Sequence, residues 1–284
     1  MAATDQYTIR GALHPARAAA RFIGGDVDDV ITAAGAGVAR EAAEDTNGTF
    51  TAWIMIPNTT ETACTICAFG DTNADEFIDF AVKTGLLTCT ISDGGVDQVT
   101  TQEDAIGLTP HKWHHVACVQ TALGTGPKFY IDGVQTAATN DVSTDVDQWI
   151  GTELGGIDNF TIGMLSMNTS TTQEFKGYIS DVKYWNRALS AEDILLDYQG
   201  SPQPNTTAKK DATYLQNHWD MKDDYKDNGL GADDGTVTGD VILCNAVSEF
   251  DSRLTFAAGI PVVADDICIA LTDNIGFAYV VKAA

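Results

Sequence analysis

Basic residues are scarce in this chain: 16 lysines and arginines stand against 40 aspartates and glutamates, a net charge of −24 at pH 7. So few cations cannot coat a phosphate backbone, which excludes nucleic acid as a partner. No run of about 20 apolar residues occurs, so no membrane-spanning helix is expected. The opening stretch MAATDQYTIRGALHPARAAARF has no apolar core of signal-peptide length. Coiled-coil heptads, short tandem repeats and low-complexity tracts are missing too. Six cysteines are too few for a disulfide scaffold of 284 residues. Most lie among apolar and β-branched neighbours, as in TCTI and VACV, and read as reduced core residues. Cys64 and Cys67 have zinc-knuckle spacing, but no second pair lies near them.

What is present reads as strand. From Phe50 onward, short runs such as FTAWIMIP, ACTICAFG, EFIDFAVKTG, LLTCTISDGG and GYISDVKYW are separated by Gly, Asn, Asp and Pro. Runs of this length and composition indicate a β-sandwich or barrel. One helix is expected in SAEDILLDYQ, where Ser190 can cap, Glu192 and Asp193 occupy the first turn, and Gly200 ends it. His111, His114 and His115 would converge on a metal only if HKWHHVACVQ were helical. It reads instead as the first strand of a hairpin with KFYIDGVQ, which has its own tight turn at Asp132-Gly133, so His114 and His115 face opposite ways. The stretch 200–213, polar and with two prolines, reads as a linker. Strand-like runs follow it.

Four pieces in order carry a resemblance: ARFIGGDVDDVIT, GTFTAWIMIP, HKWHHVACVQ with KFYIDGVQ, and FKGYISDVKYWNRALSAEDI. Together they resemble the laminin-G-like branch of the concanavalin-A-like jelly rolls over residues 17–200. The resemblance implies an all-β fold of two antiparallel sheets packed face to face, which strands of period two also require. Trp53, Trp113 and Trp185 then read as core anchors. The expected organisation is an arm or first strand over 1–16, the jelly roll over 17–200, a linker over 201–213 and a β-rich segment over 214–284. In that segment YLQNHWDMKDDYKDNGLGADDGTVTG resembles the piece that normally precedes the family's opening strand. It is a partial second copy, a permuted closing strand, or a strand exchanged between subunits. Since a free sheet edge must be paired or covered, a homo-oligomer, trimer included, is expected.

Glucanases of this fold carry spaced carboxylates on one strand face, about 5 to 5.5 Å apart for retaining hydrolysis. Neither Asp75, Glu76 and Asp79 nor Glu103 and Asp104 gives two glutamates at one-face spacing. No nucleophile elbow or phosphate loop is present, so no catalytic residues are assigned and no enzyme is expected. Calcium is the cofactor the resemblance implies, and hard oxygen ligands suit it. The candidate ligands are Asp26, Asp28 and Asp29 in the opening turn, Asp71, Asn73 and Asp75 in a loop, and Asp181 in the closing strand. Serine at position 180, where many relatives have an acid, weakens the last. Carbohydrate binding is the family's frequent task, and Trp149, Tyr184 and Trp219 are the candidate platforms. Arg10, Arg17 and Arg21 form a basic N-terminal patch suited to docking on an acidic partner.

Two functions are carried forward. One is a non-enzymatic virion protein (capsid decoration, head fibre or tail adhesin of a bacteriophage), assembled in host cytoplasm onto a capsid or tail protein and presenting a face to host glycan. The other is a calcium-dependent carbohydrate-binding or adhesion module of a secreted or cell-surface protein.

Overall fold

Several central strands are buried along nearly their whole length, and two sheets packed on a shared core cover the inner face of each. In chain order the elements are β1 (Arg17–Phe22), β2 (Val30–Thr32), helix α1 (Ala34–Ala42), β3 (Gly48–Met55), β4 (Cys64–Gly70), β5 (Phe77–Lys83), β6 (Leu86–Asp93) and β7 (Val96–Glu103). Then come β8 (His114–Gln120), β9 (Lys128–Ile131), β10 (Val134–Gln135), β11 (Ala138–Ser143), β12 (Asn159–Ile162), β13 (Leu165–Met167) and β14 (Ser170–Thr172). The last are β15 (Gly177–Trp185), helix α2 (Ala191–Tyr198), β16 (Leu215–Trp219), β17 (Thr236–Thr238), β18 (Ile242–Val247), β19 (Ile267–Leu271) and β20 (Ala278–Lys282).

This computed structural model describes residues 17–24, 28–121, 124–151, 154–200 and 214–247, together with β19 and β20. The expected arm at 1–16, the linker at 201–213, Asp26 and Arg10 lie outside the described residues. Arg17–Val247 is one unit; Met1–Ala16 with Ser248–Ala284 is a second, in which β19 and β20 pair antiparallel.

The front sheet runs β10-β9-β8-β3-β15-β1-β18, and the back sheet runs β11-β7-β6-β5-β4-β12-β2-β17. Both are antiparallel throughout, and the expected jelly-roll sandwich is what forms. The β8–β9 hairpin is present, and β9 turns into β10 at Asp132 and Gly133, whose φ values of 51° and 80° are those of a type I′ turn. Between the sheets lies an aromatic core. Phe50 sits 5.3 to 6.3 Å from the rings of Phe69, Phe80, Trp149, Phe160 and Tyr184. Cys64, Cys67, Cys89 and Cys118 are buried free thiols, as their neighbours suggested.

The strands after the linker return to the sandwich. β16 pairs with the second half of β15, β17 with β2, and β18 with β1. Trp219 of β16 enters the core, stacked on Phe160 at 4.9 Å. Helix α2 begins with the expected cap: Ser190 accepts from the Asp193 amide, and Asp193 accepts from the Ser190 amide and hydroxyl. Helix α1 was not anticipated. Its sequence, AGAGVAREA, lacks an apolar stripe, and a Cβ on Gly37 would lie 2.4 Å from the Asn159 backbone. Close approach to β12 therefore selects glycine where helix propensity would not.

Candidate functional site

The outward face of the back sheet is the polar surface the topology builds most deliberately. On β6, Leu87, Cys89 and Ile91 face the core, so Thr88, Thr90 and Ser92 face outward. Cross-strand pairing carries that face sideways. One row is Ala68, Asp79, Thr90, Thr100; a second is Thr65, Ala81, Thr88, Gln102, Thr139; a third is Gly70, Phe77, Ser92, Asp97. Thr90, Thr100 and Gln102 are partly exposed, while Thr88 and Ser92 are buried between their neighbours. The β13–β14 hairpin borders the rows: Leu165 packs on Ala68 and Phe77, with Met167 half-buried beside them.

Asp79 lies at the base of this face, only 3 % exposed. Its Oδ1 accepts from the Thr65 hydroxyl at 2.8 Å, and Gln173 adds a second bond. Burial outweighs both and pushes its pKa up to about 7. The other carboxylates weighed for hydrolysis lie apart from it. Glu103 shares the inward parity of Val99 and Thr101 on β7, opposite to Thr100 and Gln102, and accepts from the Leu87 amide. Asp75 accepts from Asn168, Glu76 from the Gly155 amide and Asp104 from Thr139.

The outward face of the front sheet is organised differently. Arg17 lies 3.3 Å above the Trp53 ring, which stacks on Tyr198 of α2. Beside them, Lys183 bridges Asp197 at 2.7 Å and Asp181 at 2.9 Å. His115 Nε2 bonds Asp197 at 3.0 Å, and His218 Nε2 bonds Asp181 at 2.6 Å. Burial works to raise both carboxyls; for Asp181 the His218 bond and the Lys183 charge outweigh it, and for Asp197 the Lys183 charge and the His115 bond do. Both are held well below the ordinary carboxylate range. Every member of this network has a partner, which makes it a clamp between β15, β16, β8 and α2.

Several expected site residues fall elsewhere. Trp149, Tyr184 and Trp219, the expected sugar platforms, are fully buried in the core, so this expectation is corrected: none offers a ring face to a ligand. Aromatics in polar surroundings can still point inward, as the Trp149 indole does when it donates to the Tyr184 hydroxyl at 3.2 Å. Asp181 is not a metal ligand here, because Lys183 and His218 already take its oxygens. Asp29 accepts from the amides of Ile23, Gly24 and Asp240, and Asp28 from Thr171. Asp71 accepts from the Asn73 amide, and Asp75 from Asn168. Among the described residues no three acidic, histidine or cysteine side chains converge as metal ligands. Arg17 is committed to Trp53 and is not a free docking group; Arg21 is exposed on β1. Trp53, Trp113 and Trp185 are buried, but in satellite clusters outside the front sheet and not in the central core.

A family model described as the concanavalin A-like lectin/glucanases superfamily matches residues 25–195. The chain belongs to this superfamily. Among solved structures, the CBM40 of the Ruminococcus gnavus IT-sialidase matches with a TM-score of 0.51 at 14% identity, covering 63% of this chain and 96% of that one. The same CBM40 bound to alpha2,3 sialyllactose gives 0.50 at 13% identity, with the same coverage. At such identity the likeness is one of fold. No curated protein matches the chain. The back-sheet rows were missed from the sequence because cross-strand register is not written in it, although the alternation in LLTCTIS was a usable signal.

Proposed function

We propose that Arg17–Val247 is a non-enzymatic carbohydrate-binding or adhesion module that holds a glycan on the outward face of its back sheet. One observation carries this: cross-strand register sets the partly exposed Thr90, Thr100 and Gln102 side by side on a rigid sheet face, with Thr88 and Asp79 buried next to them. Hydroxyls and carboxamides both donate and accept, which suits sugar hydroxyls. Sheet positions hold them with little entropy left to lose on binding. The Met167 edge supplies an apolar wall for sugar C–H groups. Superfamily membership supports the reading, as does the likeness in fold to a CBM40 that binds sialyllactose.

Of the two settings expected from the sequence, this reading suits a secreted or cell-surface protein. No described residue points to a capsid or tail protein. Nor does the reading call on a second copy, since β16 pairs within its own chain. Glycan-array screening followed by calorimetry tests it. Thr90→Ala and Thr100→Ala should each cost about 1 kcal/mol, roughly a fivefold rise in Kd. Undiminished affinity in the double variant would move the site off this face.

A further inference from the structure

Resting on that reading of the back-sheet face, we infer that its ligand is a neutral glycan, and that sugars carrying a carboxylate or sulfate are disfavoured. The three rows hold two carboxylates, Asp79 and Asp97, and neither arginine nor lysine. Lys83 lies one row beyond, opposite Leu86, and is exposed. Asp104 adds a third carboxylate at the margin, where it accepts from the Thr139 hydroxyl at 2.7 Å.

A neutral sugar needs only groups that donate and accept in turn, and Thr90, Thr100 and Gln102 do both. An acidic sugar needs more. Its carboxylate only accepts, and affinity for it comes from charge-assisted bonds to guanidinium or ammonium groups. On this face the exposed charges it would meet are the Asp97 carboxylate at the side and Asp104 at the margin, both of its own sign, and no cation stands in the rows to offset them.

Three of the chain's arginines are engaged elsewhere. Arg17 lies over Trp53, Arg40 pairs with Asp45, and Arg187 pairs with Asp193 while covering Tyr214. Arg21 is on β1 of the front sheet. A net charge of −24 acts in the same direction at long range, slowing the approach of any polyanion.

The experiment titrates the whole chain calorimetrically with lactose, N-acetyllactosamine and maltotetraose, and with alpha2,3-sialyllactose as the charged counterpart of lactose. Binding of a neutral sugar, with the sialylated one weaker by roughly tenfold or more, is the expected result. Thr100→Arg should narrow that gap by placing a cation in the row; Gln102→Lys makes the same change if the first variant does not fold. Sialyllactose binding as tightly as lactose or tighter, still weakened by Thr90→Ala, would overturn the neutral preference and leave the glycan site standing. Binding of no sugar in either group would overturn both.

Discussion

Asp79 shows how one residue can set a pH response. Its pKa is raised to about 7 by burial, while an unfolded aspartate titrates near 3.9. Between those values the folded chain holds a proton the unfolded chain has lost, so stability falls as pH rises through this window, by about 1.4 kcal/mol per unit at most. Above about pH 7 the penalty is complete. Asp79→Asn keeps the shape and the bond from Thr65, and should be more stable than wild type at pH 8 but not at pH 4. Urea midpoints at the two values check this; equal gains at both would refute it. Burial also raises Asp45 and Glu103, so part of the slope should survive the substitution. In the sequence Asp79 was legible only as one acid among several in ADEFIDF. Its burial depends on Thr65 and Gln173, 14 residues upstream and on a distant loop, so no local pattern announces it. Trp149, Tyr184 and Trp219 failed as platforms for a related reason: side-chain type tells what a residue could contact, and only its place in the fold tells whether solvent reaches it.

Among elements, β16 is the one most dependent on charge. It joins β15 beyond a bulge at Ser180–Lys183, where Asp181 takes a φ of 52° and binds both Lys183 and His218. Lys183→Met leaves Asp181 and Asp197 facing each other with their shared cation gone, and should cost about 3–5 kcal/mol. Chemical denaturation of the variant measures this. The wild-type clamp should weaken with acid: the depressed carboxyls contribute stability that is full above about pH 4 and is lost as pH falls below it. A urea midpoint that stays flat from pH 5 to pH 2 would contradict that. Elements themselves were largely legible. Turn residues bounded β3 to β8, and Ser190 with Asp193 marked the start of α2. Helix α1 was not legible, because its alanines and glycines answer to the packing of β12 and not to a helical stripe.

On the scale of the whole molecule, the acid excess is a load that the fold carries. Forty acids on one 284-residue chain repel one another most where salt is low. Raising ionic strength from about 0.01 M to 0.15 M shortens the screening length from roughly 30 Å to 8 Å. The melting temperature should therefore climb with added sodium chloride, and a fall over that range would show that attractive pairs dominate instead.

The register between β1 and β18 has a further consequence. Arg17, where the chain enters the sandwich, is paired directly with Val247, where it leaves. Partners on an antiparallel ladder lie only about 5 Å apart. A domain whose two ends meet on one rung can be spliced into a host protein's surface loop without prising that loop open. By the same geometry its ends can be joined and new ones cut between Gly200 and Tyr214, giving a rearranged chain of the same shape for display or fusion.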